Sequence, residues 1–283
     1  MNITASTQFC GVIGNPVEHS LSPAIHNAAF QTLGLDFVYL AWKVEAIEDA
    51  VKGLRALGNF RGASVTIPHK VAALPLLDEV DATARHIGAI NTIVAENGRL
   101  CGTNTDATGA LRALKEGSAA LRDEAVILGS GGAARAIAFA LAAEAGLRRI
   151  HLLGIDDQER RTLASDVMQK TGLKVADAFL DEQALKTALA EARVLIHCTP
   201  IGMSPKTGMS CVPPNLLHPG LTVMDIVYNP RETQLLADAK VAGCRTISGL
   251  EMFLHQAAAQ FELWTANPAP RQAMRAVLES RLG

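Results

Sequence analysis

Seven residues constrain this chain more than any others: Gly129-Ser130-Gly131-Gly132-Ala133-Ala134-Arg135. They follow the apolar run Ala125-Val126-Ile127-Leu128 and open an alanine-rich segment that continues from Ala136 to Ala145. A buried strand, a glycine turn and a helix start, in that order, make the kind of turn that holds a dinucleotide. Gly129 lets the chain reverse tightly, and Gly131 has no side chain to hold a pyrophosphate away from the backbone. Ala134 is small enough for the helix to lie close on the strand. The helix N-terminus then offers unpaired N–H groups and a partial positive charge to the phosphates. Glycine turns between strand and helix also serve purely structural ends, so the strand before this one and the helix after it carry the reading.

At 283 residues the chain is long enough for two modest cores. Hydrophobic residues at 49% and charged residues at 19% exclude wholesale disorder and suit a soluble enzyme. Lys and Arg number 26 against 28 Asp and Glu, and a net charge of −2 gives no electrostatic case for nucleic acid or an anionic membrane. Aromatics at 4% are too few for a base-stacking platform. Cys10, Cys101, Cys198, Cys211 and Cys244 are scattered without a Cys-x-x-Cys pair, which predicts reduced thiols and neither a disulfide framework nor a metal site. Residues 1–8 have no leader-like basic and apolar regions, and no apolar run approaches spanning length. The expectation is a soluble, cytoplasmic protein without a membrane partner.

Taken in order, Phe9–Gly14 reads as a buried strand and Ser22-Pro23 as the start of a helix over Ala24–Leu33. Phe37–Val44, Ala46–Leu57 and Gly62–Thr66 follow as strand, helix and strand. Such alternation predicts a mostly parallel α/β sheet. Ala89–Ala95 and Leu100–Thr103, joined through Asn97-Gly98, read as a hairpin at its edge. A helix from Asp106 to Glu116 leads to the glycine turn and a second α/β unit with strands near 125–128, 149–153, 193–197 and 222–226. Gly249–Trp264 and Arg271–Leu282 read as closing helices. The fold class is therefore α/β with two domains: residues 1–110 with 250–283, and residues 111–249 as the dinucleotide-binding domain, with a cleft between them.

Polar residues at strand ends are the candidates for chemistry. Lys70 follows the strand ending in Thr66, and Asp106 lies at the exit of the hairpin. A lysine and a carboxylate meeting in a cleft could orient and deprotonate a hydroxyl during hydride transfer; a surface ion pair fits the same spacing. Ser20 and Ser22 could hold a substrate carboxylate, while Ser22 reads equally as a helix N-cap. Thr199 ends a strand at the C-terminal edge of the second sheet, where ligands bind in such folds. Tyr39 and Lys43 have the Tyr-x-x-x-Lys spacing of a helical catalytic pair, but here they lie on a strand that sets them roughly 13 Å apart, at ~3.3 Å per residue. We read them as structural.

The chain resembles the shikimate dehydrogenase family, which includes quinate dehydrogenases, nearly end to end. The resemblance rests on His19-Ser20-Leu21-Ser22-Pro23, Ser64-Val65-Thr66-Ile67-Pro68-His69-Lys70, Gly88-Ala89-Ile90-Asn91-Thr92 and Gly102-Thr103-Asn104-Thr105-Asp106. It continues through the glycine turn, Asp225-Ile226-Val227-Tyr228-Asn229-Pro230, and Gly249 through His255-Gln256 to Trp264. It implies an N-terminal substrate domain and a Rossmann-type domain, acting on a small cyclic polyol acid as monomer or homodimer. By resemblance Lys70 and Asp106 are the catalytic pair, and Ser20 and Ser22 hold the substrate carboxylate. Thr66, Asn91, Tyr228 and Gln256 make further substrate contacts. Gly131, Gly132 and Ala133 form the phosphate turn begun at Gly129, and Ile226 and Gly249 lie near the nicotinamide. Gly249 could equally do no more than shape the turn before a helix.

Two departures from the family pattern set further expectations. Ser64 stands where the family usually has asparagine, which alters a substrate-pocket contact and admits a quinate or aminoshikimate paralogue. The arginine that NADP-dependent members place after the second strand is replaced by Gly154-Ile155-Asp156-Asp157. A carboxylate there suits ribose hydroxyls and repels a phosphate, so Asp156 predicts NAD in preference to NADP, with Arg160 and Arg161 turned to solvent. The function expected is reversible oxidation of the ring hydroxyl of shikimate to 3-dehydroshikimate. A catalytically idle NAD-binding regulator is the alternative of another class.

Overall fold

The computed structural model describes residues 3–144 and 146–282, so Met1 and Asn2 of the leader reading and Ala145 of the alanine-rich segment lie outside the described residues. The chain divides into two compact units, one of Met1–Thr105 and Gln256–Arg281 and the other of Asp106–His255. No helix among the described residues is long and apolar enough to cross a membrane.

In the first unit the order is β1 (Gln8–Gly14), α1 (Ser22–Thr32), β2 (Phe37–Lys43), α2 (Ile47–Arg55), β3 (Phe60–Val65), β4 (Glu79–Val80), α3 (Ala82–Ile87), β5 (Thr92–Glu96) and β6 (Arg99–Thr103). The six-stranded sheet runs β2-β1-β3-β5-β6-β4. β1 pairs parallel with β2 and β3, and β4 parallel with β6, whereas β5 is antiparallel to β3 and β6. Asn97 and Gly98 both have left-handed φ, 52° and 76°, which lets two residues reverse the chain between β5 and β6. Ile13, Phe60, Ala63, Val65, Ile90 and Ile93 form the core on one face. Short β4 and α3 were not read from the sequence.

His26 on α1 is fully buried in an aromatic nest: its ring stacks on Tyr39 with centroids 4.5 Å apart, and Trp264 lies 5.2 Å away. Among the described residues neither ring nitrogen has a hydrogen-bond partner. Burial holds the imidazole neutral, with its pKa pushed down to about 3. In the unfolded chain it takes a proton near pH ~6.5. The unfolded state alone therefore gains that proton as pH falls from the unfolded value towards the folded one, and stability is lost across that window at about 1.4 kcal/mol per pH unit. Between pH 7 and pH 5 the wild type is expected to lose about 2 kcal/mol more than His26→Phe, which keeps a ring in the nest. Urea midpoints at the two pH values check this; equal losses in both proteins would count against it.

In the second unit α4 (Thr105–Glu116) leads to β7 (Asp123–Leu128), α5 (Gly132–Ala142), β8 (Leu147–Gly154), α6 (Asp157–Thr171), β9 (Lys174–Phe179), α7 (Glu182–Leu189), β10 (Val194–His197), β11 (Thr222–Asp225), α8 (Gln234–Val241) and β12 (Arg245–Ser248). The sheet order β12-β11-β10-β7-β8-β9, parallel throughout, is that of a doubly wound dinucleotide-binding fold. β10 and β11 are buried at every residue, down to His197 and Asp225 at their C-terminal ends. Connections leave β7 for β8 on one side while β10 pairs on the other, so the glycine turn after β7 sits where the winding reverses. α9 (Gly249–Thr265) and α10 (Arg271–Leu282) close the chain.

Candidate active site

In the second unit the glycine turn has the form its sequence requires. Gly129 has φ of 103°, and a Cβ there would come within 2.9 Å of the Cys198 carbonyl. Its N–H donates to Leu153 O at 2.7 Å, tying the turn to the end of β8. Gly131 caps α5 in extended backbone, and a Cβ built on it would face open space. That leaves room against the helix N-terminus for a phosphate group, with Gly132 and Ala133 supplying the first N–H groups of the helix. Ala134 is fully buried against the sheet. These residues fit a dinucleotide pyrophosphate.

Around the ends of β10 and β11, Thr199 Cγ2 would lie 3.2 Å from the same Gly129 Cβ, so the Thr199 loop packs on the glycine turn. Ile226 donates its N–H to His197 O at 3.1 Å. A Cβ on Gly249 would run into the Ile226 and Val227 carbonyls. Glycine is thus what lets α9 begin against the Ile226 segment, and the shape of the turn and the placement of Ile226 are one requirement. Tyr228 stacks on Phe253 with centroids 4.6 Å apart, and burial pushes its phenol up, which keeps the hydroxyl a donor. Asp106 lies in the first turn of α4 and is 7% exposed.

In the first unit Ser20 and Ser22 lie in the turn into α1, and the Ser22 N–H donates to Ser20 Oγ at 3.3 Å. Ser22 is not the N-cap: Leu21 takes that position, without a side-chain cap, and Ser22 is the first helical residue with Pro23 behind it. Ser22 is buried, and its first-turn place leaves the cap to the backbone of Leu21. Tyr39 OH lies 2.6 Å from Ser64 Oγ, which donates to Gln260 Oε1 at 2.8 Å. Gln260 Nε2 donates to Thr92 Oγ1 at 2.8 Å, and Thr92 donates to Asn91 Oδ1 at 2.7 Å. Asn91 Oδ1 also accepts the Thr105 N–H at 2.7 Å, while Asn91 Nδ2 donates to Thr105 Oγ1 at 3.0 Å.

A buried polar chain therefore runs from Tyr39 to Thr105, the residue before Asp106. Ser64, expected to touch substrate, has its hydroxyl turned into that chain. Lys70 accepts the Ile90 N–H on its carbonyl at 2.9 Å, so the Ile90-Asn91 pair fixes the backbone at Lys70 and at Thr105. Thr66 is half-buried, donates its N–H to Ile13 O at 2.9 Å and accepts the His69 N–H at 2.9 Å. Gln256 is buried one turn before Gln260 on α9. Tyr39 lies within β2, which keeps it four strand positions from Lys43.

Gln260 and Thr92 were missed by sequence reading. Gln260 sits inside an apolar helix pattern, and the available signal was a second glutamine one turn after Gln256. His197 and Asp225 were missed as a pair. His197 Nδ1 lies 2.9 Å from Asp225 Oδ1, and both side chains are buried.

The comparisons agree on one family. The model for the shikimate dehydrogenase substrate binding domain matches residues 12–93, and that for the shikimate 5'-dehydrogenase C-terminal domain matches residues 249–279. Shikimate dehydrogenase (NADP+) of Moorella thermoacetica is 45% identical, over 100% of this chain and 96% of the relative. A solved shikimate dehydrogenase in complex with NADP+ is 38% identical with a TM-score of 0.92, covering 100% of this chain and 98% of that one. The Thermus thermophilus enzyme in complex with NADP(H) and shikimate is 38% identical with a TM-score of 0.84, covering 96% and 99%.

These relatives overturn the preference for NAD. The local reason is that the carboxylates after β8 are engaged. Asp156 Oδ1 accepts the Glu159 N–H at 2.8 Å as the N-cap of α6. Asp157 is paired with Arg160 and Arg161. Arg160 is not turned to solvent: it is 4% exposed, with its Nε 3.1 Å from Asp177 and its Nη1 donating to Gly154 O. Asp156 is thus a helix cap, and its neighbour's charge is offset by two guanidinium groups.

Proposed function

We propose that this chain, which belongs to the shikimate dehydrogenase family, reversibly oxidises the ring hydroxyl of shikimate to 3-dehydroshikimate with NADP+. The observation that carries the reading is the Ile90-Asn91 anchor. It fixes Lys70 through a backbone hydrogen bond and fixes Thr105, one residue before Asp106, through the Asn91 side chain. When bound, the nicotinamide supplies the hydride acceptor. Lys70 and Asp106 take the hydroxyl proton as hydride leaves the same carbon, since a free lysine alone is a poor base at neutral pH. Ser20, Ser22 and Thr66 hold the carboxylate end of the substrate, with Asn91, Tyr228 and Gln256 on its ring hydroxyls. The domain of residues 1–110 and 250–283 binds the acid and that of 111–249 binds the dinucleotide through Gly129, Gly131, Gly132, Ala133, Thr199, Ile226 and Gly249.

Ser64 no longer argues for a quinate or aminoshikimate substrate, because Tyr39 and Gln260 engage its hydroxyl. Steady-state kcat/KM for shikimate and quinate, each with NADP+ and NAD+, tests the proposal. Shikimate with NADP+ is expected to give the highest value; a higher value for any other pairing would overturn it.

A further inference from the structure

Three groups converge on Asp225 at the end of β11. Its Oδ1 accepts the Val227 N–H at 3.0 Å and faces His197 Nδ1, and its Oδ2 accepts the Thr233 hydroxyl at 2.7 Å. A carboxylate with only donors around it leaves Nδ1 of His197 as a donor. The other ring nitrogen, Nε2, lies 2.5 Å from Thr199 Oγ1, and the Ile201 N–H reaches the same oxygen at 3.3 Å. Thr199 packs against the glycine turn. The ring is thus strung between the end of β11 and the loop after β10.

We propose that His197 is a positioning residue for the dinucleotide: by donating from Nε2 to Thr199 Oγ1 it keeps that hydroxyl's own hydrogen turned outward to the bound cofactor. The proposal rests on the reading that Thr199 lines the dinucleotide site. Its logic is donor arithmetic. With Nε2–H and the Ile201 N–H both donating to it, the Thr199 oxygen has its acceptor sites filled and its hydrogen free. A ring without the Nε2 proton would accept that hydrogen and turn the hydroxyl inward. The titratable groups facing the ring are Asp225 and Cys211. Burial disfavours the charged ring, but the hydrogen bond to the Asp225 carboxylate, with Cys211 nearby, outweighs it and raises the pKa to about 9. The outward hydroxyl is therefore present at neutral pH and lost above that value.

The test is NADPH binding by nucleotide fluorescence, without turnover, on wild type, Thr199→Val, His197→Asn and the double variant. Asparagine keeps a donor for Asp225 at the place of Nδ1 but ends short of Nε2, so Thr199 loses the ring's hydrogen bond. Each single variant is expected to weaken NADPH binding by roughly five- to tenfold, the scale of one hydrogen bond, and the double variant by no more than either. Wild-type binding should weaken by the same factor between pH 8 and pH 10, and His197→Asn should not follow it. If Thr199→Val weakens binding but His197→Asn does not, the proposal falls while the cofactor reading of Thr199 stands. If Thr199→Val binds normally, both fall. Should His197→Asn fail to fold, the wild-type pH titration decides alone, and a flat profile overturns the proposal.

Discussion

Lys70→Ala is expected to lower kcat for shikimate oxidation by roughly a thousandfold, the range open to a lost proton-transfer group. Its melting temperature should change little beside the loss of turnover, since alanine keeps the backbone carbonyl that accepts the Ile90 N–H. NADPH affinity should also be unchanged, because the glycine turn proposed to hold the dinucleotide belongs to the other unit. The expected signature is therefore a loss of turnover without loss of fold or cofactor. Steady-state kinetics with a thermal melt and an NADPH titration read all three. A loss below tenfold would remove Lys70 from the chemistry, and a collapse of the melt would make it structural instead.

Gly62→Ala is expected to destabilise the protein by about 3–4 kcal/mol, through overpacking together with a disfavoured backbone. Gly62 has φ of 155°, and a Cβ there would run into Trp264 Nε1 and the Ile93 carbonyl. Those two groups are hydrogen-bonded to each other at 2.9 Å, which ties α9 to β5. An added methyl must break that bond or shift β3 against β5, and Trp264 is buried at the centre of the aromatic nest around His26. Gly34→Ala is the control. It has φ of 64° with open space where its Cβ would lie, so it should cost about 1 kcal/mol from the backbone alone. Urea unfolding of the two variants separates them, and equal losses would refute the packing argument.

Where one physical requirement dominated, the sequence was legible. Gly129 needs a positive φ beside Cys198, β10 and β11 are central strands buried on both faces, with apolar centres Leu195-Ile196 and Val223-Met224, and Asn97-Gly98 must supply two left-handed residues. β9 was missed because it is an edge strand whose Lys174, Ala176 and Asp177 are exposed, so no apolar run announces it. β12 was missed because only Ile247 of its four residues is buried, so it too lacks an apolar run.

The polar chain from Tyr39 to Thr105 was hidden for another reason. Tyr39, Ser64, Thr92 and Gln260 come from different elements and meet only after folding. The mistaken preference for NAD has a local cause. Asp156 followed three residues later by Glu159 is the pattern of a helix N-cap as much as that of a ribose contact, and the cap is what forms.

The most direct test of the whole account is the absorbance at 340 nm when the purified protein meets shikimate and NADP+. The account expects reduced nucleotide to accumulate to a shikimate-dependent equilibrium, reversed by added 3-dehydroshikimate. Protein that binds NADP+ yet produces no reduced nucleotide with shikimate would contradict it.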